Sequence, residues 1–485
     1  MPHSAASGLG WNAAGQAIRA IAQFILGAVL ARLLGPDAFG VVAVAWMTVS
    51  FCRLIDPGMG STLVRLVDPS PHDIRFACTM QLAVSSVLAV VCAVAAGPIA
   101  GALGDEAAAP HLRWMALLLP LFAISQIGNA LLELRMDFRT IQLANLVPYL
   151  VGYLAVGIPL ALAGAGAWTL VVAALIQTAL TTTWLYLATR HPIAPRVRHP
   201  RARAMLTFGA HTSGVSLAGF LGTILDQIAV SRTGTATDLG HYNRAGALLS
   251  APTLALGNAL GNWLYPMLVR MDARAKRRAF VAAATGLMVV AGVPFAMLAG
   301  ASATSVAVVY GPGWQACAAI ATPLALAMPG WLLAMLASPL LWSCNAASSD
   351  HLRQWIVTAL LAAAMVAAVI AGAGPVSIAW VAMAAVWLRA LLLLDAARRV
   401  SGWRWRRLAS SLSPAVLFAV AAFGCARWLE QLTQGWHWPA VAILAVLVAC
   451  GCLLMVLSVW VTLRMGVAPE AARVLTGWTK RTAQH

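Results

Sequence analysis

Polar residues along this chain fall in short clusters, and between them run apolar stretches of about 20 residues, the length an α-helix needs to cross a hydrocarbon layer. Fourteen such stretches are read: 9–34, 38–56, 74–101, 111–132, 140–163, 168–188, 205–230, 237–266, 279–304, 316–342, 354–373, 376–396, 412–428 and 439–463. The longer ones overrun the hydrocarbon, so they tilt or continue into the interfaces. The pattern predicts an all-α polytopic membrane protein of about 14 transmembrane helices.

Composition agrees. The chain has 485 residues, 61% hydrophobic and 10% charged, with a mean hydropathy of +0.82, whereas a soluble domain carries roughly 25% charged residues. The opening segment, MPHSAASGLGWNAAGQAIRA, lacks the basic head of a cleaved signal and is read as part of a retained first span. The eight cysteines all lie in or beside apolar segments and suggest no disulfide framework. Cys450 and Cys452 would face different sides of one helix, which argues against a metal site there.

The net charge of +17 reflects where the basic residues gather. With the N-terminus in the cytoplasm, the inner loops and tail carry 24 Lys and Arg, the outer loops with their adjoining span ends carry 4 (Arg32, Arg113, Arg232, Arg427), and 4 more lie within spans. This bias predicts an even number of helices with both termini cytoplasmic, and it accounts for the charge without a nucleic-acid partner. The outer loops are too short for a catalytic domain. Asp105-Glu106 is the one adjacent acidic pair and has no supporting His or Asp cluster, so an enzyme is not expected, nor is a cofactor or metal.

Two polar turns echo one another. Gly35-Pro-Asp-Ala-Phe-Gly40 closes the first span and Gly234-Thr-Ala-Thr-Asp-Leu-Gly240 closes the seventh, with the basic linker 189–204 between the halves. Parallel repeats of this kind let a transporter rock two bundles around a central site.

Several segments resemble, in order, the polysaccharide-transport (oligosaccharide flippase) branch of the multidrug/oligosaccharidyl-lipid/polysaccharide exporter superfamily. They are AVLARLLGPDAFGVVAVA (28–45), IDPGMGSTLVR (55–65), LLELRMDFRTIQLAN (131–145), ALAGAGAWTLV (161–171), LDQIAVSRTG with DLGHYNRAGALLSAP (within 225–252), and VVYGPGWQACAAI (308–320). Beyond about residue 350 the similarity is only hydropathic. The resemblance implies two six-helix lobes in a V around a central cavity lined largely by helices 1, 2, 7 and 8, here 1–188 and 205–396. Residues 189–204 would be the cytoplasmic linker, and 397–485 two extra helices and a cytoplasmic tail. It also implies a flippase for undecaprenyl-pyrophosphate-linked oligosaccharides in the bacterial inner membrane, serving exopolysaccharide or lipopolysaccharide synthesis. Membrane lipids, a polysaccharide polymerase and chain-length proteins are the expected partners.

Charges inside the spans carry the chemistry, because an arginine in hydrocarbon costs several kcal/mol and needs a partner or a purpose. At 1.5 Å per residue, Arg244 lies roughly 10 Å below the outer face on span 8, while Arg19 and Arg53 lie roughly 22 Å below it on spans 1 and 2. Guanidinium groups grip phosphate oxygens in pairs and stay charged at any relevant pH, so Arg244, Arg19 and Arg53 are the candidate pyrophosphate ligands. A competing reading pairs Arg244 with Asp226 on span 7, and Arg53 with Asp56. Asp226 is also the candidate coupling carboxylate, able to exchange a proton or sodium for an arginine. Arg389 and Asp395 on span 12 are read as structural pairing. Trp11, Trp168, Trp403, Trp405, Trp436 and Trp438 read as an interfacial aromatic belt, and His211 and His241 as ordinary satisfied histidines. A lipid II flippase would use arginines equally well, whereas a cation-coupled multidrug antiporter should present carboxylates and aromatics where these arginines lie.

Overall fold

The computed structural model describes residues 5–55, 57–66, 68–434 and 440–464, and every regular element among them is helical. The chain forms two compact units, Met1–Asn243 and Arg244–His485.

The first unit contains α1 (Ala5–Cys52), α2 (Met59–Arg65), α3 (Pro71–Val94), α4 (Ala96–Ala102), α5 (Ala109–Met115), α6 (Leu118–Leu134), α7 (Phe138–Leu150), α8 (Ile158–Leu162), α9 (Trp168–Thr189), α10 (Ala202–Thr233) and the first turns of α11 (Ala236–Val269). The second holds the rest of α11 and α12 (Ala273–Leu287), α13 (Val293–Gly300), α14 (Ser302–Val309), α15 (Gln315–Ser343), α16 (Ala347–Ile370), α17 (Pro375–Ser401), α18 (Trp405–Gln434) and α19 (Ala440–Arg464).

Among the described residues, eleven helical stretches are long and apolar enough to cross a membrane. One of them, Ala14–Cys52, takes in both segments read as spans 1 and 2. The two meet at Gly35, whose φ of 75° and ψ of 175° break the helix ahead of Pro36, a conformation that only glycine adopts without strain. The segments read as spans 7 and 8 are α10 and α11. Prolines shape other spans. The wide turns at Val151–Gly157 and Met288–Gly292 directly precede Ile158-Pro159 and Val293-Pro294. A π-type turn absorbs the hydrogen bond and the space that a proline ring denies to an α-helix.

The first unit is built on Met59, Leu63, Phe76, Ile127 and Met205, which bring α2, α3, α6 and α10 into one core. Near its N-terminus α1 is tied to α7 by polar side chains: the Gln142 amide donates to Asn12 Oδ1 at 2.8 Å, and Gln16 donates to the same oxygen at 3.0 Å. In the second unit α18 and α19 pack on α13 through Val293, Met297, Ala422, Ala426 and Leu447. Gly300 makes room for that contact, since a Cβ there would lie 2.5 Å from the Phe423 carbonyl oxygen. Glu430 of α18, 3% exposed, accepts from the Thr304 backbone N–H at 2.7 Å and the Thr304 hydroxyl at 2.9 Å. The carboxylate thereby serves the start of α14, where backbone donors lack helical partners.

Two expectations are corrected. Trp403 is 3% exposed and stacks on Phe280 with a ring-centroid distance of 6.2 Å, so it belongs to the core rather than to an interfacial belt. Asp395 pairs with Arg398 at 2.9 Å and Arg399 at 2.7 Å. Residues three and four apart share a helix face, whereas Arg389, six residues earlier, does not. Trp436 and Trp438 lie outside the described residues, as does the side chain of His211.

Candidate functional site

The two glycine turns singled out in the sequence meet. A Cβ on Gly40 would fall 1.6 Å from the carbonyl oxygen of Ala236, and one on Gly240 would fall 1.9 Å from that of Pro36. Each turn therefore presses a bare Cα against the other's backbone, an approach closer than any side chain permits. The α4 terminus seals against the neighbouring end of α10. Ser231 donates its hydroxyl to the Leu103 carbonyl, and Arg232 Nη1 donates to the Ala102 carbonyl at 2.9 Å. Gly104, at φ 87°, lies where a Cβ would be 2.4 Å from the Ser231 oxygen.

Close to this seal is the candidate coupling carboxylate. Asp226 is half-buried on α10, and its Oδ2 accepts from the Tyr242 hydroxyl at 2.7 Å while Oδ1 accepts from the Gln227 backbone N–H at 2.8 Å. Tyr242 itself is 3% exposed. Sequence reasoning did not single out Tyr242, although both residues sit in the quoted 225–252 stretch. A buried phenol two residues before Arg244 was the available signal, since a buried Tyr hydroxyl seeks a partner.

Arg53 follows the end of α1, with its guanidinium 4.2 Å from the centre of the Phe122 ring, a cation–π contact that offsets part of the cost of leaving water. Asp56 lies outside the described residues. Arg19 is half-buried on α1, one turn beyond Gln16. Arg19 thus lies in the first half of α1, Arg53 just past the end of its second half, and Asp226 on α10.

Arg244 begins the second unit and is half-buried. Its carbonyl accepts from the Tyr310 hydroxyl at 2.9 Å. Tyr310 is 2% exposed, and its ring lies 5.4 Å from that of the fully buried Trp314. Between them Gly311 and Gly313 take φ of 81° and 88°. The motif Tyr-Gly-Pro-Gly-Trp therefore folds a tight turn that anchors the backbone at Arg244, a role not foreseen from its sequence.

In the loop after α4, Asp105 caps the turn at Glu106–Ala108 by accepting from the Ala107 N–H at 3.1 Å. Burial holds its carboxyl above the usual range, and the neighbouring Asp37 adds to the shift. Asp105 of the acidic pair thus has a capping role.

Eleven long apolar helical stretches among the described residues mark a multi-pass membrane protein. Residues 29–319 match the family described as "Polysaccharide biosynthesis protein", and the chain belongs to that family. A relative from Rhizobium meliloti (strain 1021), the succinoglycan biosynthesis transport protein ExoT, is 29% identical over 273 residues. The match takes in 56% of this chain and 55% of that protein, so the chain spans about half the relative's length in alignment. Among solved structures, the lipid II flippase MurJ in an inward closed conformation superposes with a TM-score of 0.71 at 13% identity, covering 93% of this chain and 99% of its own. An inward-facing multidrug transporter of the MATE family gives 0.54 at 16% identity, covering 81% and 94%. These two likenesses concern the fold.

Proposed function

We propose that the protein is a flippase that translocates undecaprenyl-pyrophosphate-linked oligosaccharide repeat units across the bacterial inner membrane, for exopolysaccharide or lipopolysaccharide synthesis. The observation that carries this reading is the family match over residues 29–319, joined to guanidinium groups at Arg19 and Arg244 on α1 and α11 and at Arg53 just past the end of α1. The relative's name, a succinoglycan transport protein, supports a polymer-building pathway. The MurJ likeness supports a fold suited to lipid-linked cargo, and at 13% identity it does not favour lipid II over another pyrophosphate-linked sugar.

In this reading the six-helix lobes 1–188 and 205–396 enclose the cargo path, the linker 189–204 joins them, and 397–485 supplies two further helices and a tail. Both termini are cytoplasmic. Arg244, Arg19 and Arg53 receive the pyrophosphate, whose non-bridging oxygens suit paired N–H donors. Asp226 exchanges a proton or a sodium ion during the cycle, and Tyr242 holds its carboxylate in the interval. A polymerase and chain-length proteins take the delivered units. The protein has no catalytic step of its own.

Deletion of the gene tests the reading. The expected result is lipid-linked repeat units that are complete but remain on the inner leaflet, with little surface polymer. A strain that fails to assemble the repeat unit at all would show the protein to be biosynthetic instead.

A further inference from the structure

A second cationic feature lies away from the residues assigned above. Arg65, Arg201 and Arg203, with Pro200, Ala204, Thr207 and Phe208, line a cavity of about 530 Å³ between the end of α2 and the start of α10. All three arginines are exposed. None forms an ion pair among the described residues. The guanidinium of Arg65 lies 4.5 Å from the centre of the Phe208 ring, so its plane is held by stacking while its N–H groups stay available. The carboxylate beside this region, Asp73, is engaged by Ser70 at 2.6 Å and His199 at 3.3 Å.

The cavity has rigid walls. Thr62 donates its hydroxyl to the Met205 carbonyl at 3.4 Å, and Met205 is buried in the core of the first unit. Gly209 lies so close to the preceding turn that a Cβ would fall 1.8 Å from the Pro57 carbonyl oxygen. The spacing of the arginines on α2 and α10 is therefore set by packing.

Charge at the start of α10 is also the reverse of what a helix prefers. The N-terminus of a helix carries partial positive charge and exposed N–H donors, which carboxylates satisfy. Asp73 does this for α3, Asp137 for α7 and Asp272 for α12. At α10 His199 accepts from the Arg201 and Ala202 N–H groups, each at 3.1 Å, no carboxylate caps the end, and Arg201 and Arg203 flank its first residue. Three like charges and a helix end without a carboxylate converge on one cavity whose lining includes no acid.

We infer that this cavity is a phosphate site for a lipid headgroup at the membrane surface, separate from the arginines of the cargo path. The chemistry recognised is a phosphate ester or pyrophosphate, met by guanidinium forks and backbone N–H groups. The inference stands without the flippase reading, since a bulk anionic phospholipid and a pyrophosphate-bearing carrier lipid present the same group.

The test is native mass spectrometry of the full-length protein in detergent, titrated separately with phosphatidylglycerol, undecaprenyl pyrophosphate and inorganic pyrophosphate. Three forms are compared: wild type, the triple Arg65→Gln/Arg201→Gln/Arg203→Gln, and a control triple of equal charge loss, Arg274→Gln/Arg277→Gln/Arg278→Gln. The cavity triple is expected to weaken binding of at least one lipid roughly tenfold or more, and the control triple less than about twofold. Preference for phosphatidylglycerol names bulk lipid as the source. Preference for undecaprenyl pyrophosphate names the carrier. The lysine triple Arg65→Lys/Arg201→Lys/Arg203→Lys keeps the charge that orients the chain in the membrane and is expected to bind between wild type and the glutamine triple. Equal losses in the cavity and control triples, unchanged affinity in the cavity triple, or binding of inorganic pyrophosphate with no lipid bound would overturn the proposal.

Discussion

Replacing Gly40 or Gly240 with alanine puts a methyl group where the structure has a carbonyl oxygen. The new Cβ atoms would lie 1.6 Å from Ala236 O and 1.9 Å from Pro36 O, whereas ordinary contact begins near 3.4 Å. The two turns must therefore part by about 1.5 to 2 Å, because both sides of each contact are main chain and no rotamer relieves it. Overpacking of this size costs about 1–3 kcal/mol. Parting the turns also strains the Ser231 and Arg232 bonds to α4 at the same end, each worth roughly 1 kcal/mol. Thermal unfolding of the purified protein in detergent should show a lowered midpoint for Gly40→Ala and for Gly240→Ala. The double variant should cost clearly less than the sum, because turns already parted by one methyl leave room for the second. Strict additivity, or no loss in either single variant, would refute the reciprocal contact.

Further predictions follow from other named contacts. Glu430→Ala removes the acceptor for Thr304 and should destabilise by about 2–4 kcal/mol, while Glu430→Gln, which keeps one acceptor oxygen, should cost less than half of that; thermal midpoints of the two variants check the order. His191 is 3% exposed, lies 2.8 Å from the Thr189 hydroxyl, and is held below its usual range by burial. A histidine that binds protons less readily when folded stabilises above its unfolded value of 6.5 and withdraws that contribution as pH falls through the folded value. Stability should thus drop as pH falls below about 6.5, and His191→Phe should flatten that part of the profile. Tyr242→Phe deletes the hydroxyl that Asp226 accepts, and should lower stability by about 1–2 kcal/mol; equal midpoints for Tyr242→Phe and wild type would show the bond to be dispensable.

The helical class was legible because apolar runs of spanning length need no tertiary information, and span boundaries such as 168–188 fall within a residue of Trp168–Thr189. The paired glycine turns were legible as an echo, yet their contact was not, since 200 residues separate them and only the folded chain shows which backbone each glycine meets. Asp226 stood out as a carboxylate in an apolar helix, but its partner Tyr242 looked like any aromatic residue of α11. Trp403 was misplaced for a related reason. Its position beside a basic loop suggests an interface, and only the packing of α12 reveals Phe280 against it. The Tyr-Gly-Pro-Gly-Trp turn was visible as a motif, and the bond from Tyr310 to the Arg244 carbonyl gives it a physical role.

The central claim is that this protein carries a pyrophosphate-linked sugar on arginines within the membrane. Reconstitution into liposomes with a fluorescent undecaprenyl-pyrophosphate oligosaccharide, scored by an impermeant glycosidase added outside, tests it most directly. Wild type should expose sugar from the inner leaflet, and Arg244→Ala, Arg19→Ala or Arg53→Ala should slow exposure roughly 10- to 100-fold at unchanged protein content. Arg244→Lys should retain part of the rate, because a point charge attracts phosphate without the paired geometry. The double variant Asp226→Asn/Arg244→Gln should stay as slow as Arg244→Ala. Full activity in that double variant would contradict the ligand role of Arg244, and exposure no faster with wild-type protein than in empty liposomes would contradict the account as a whole.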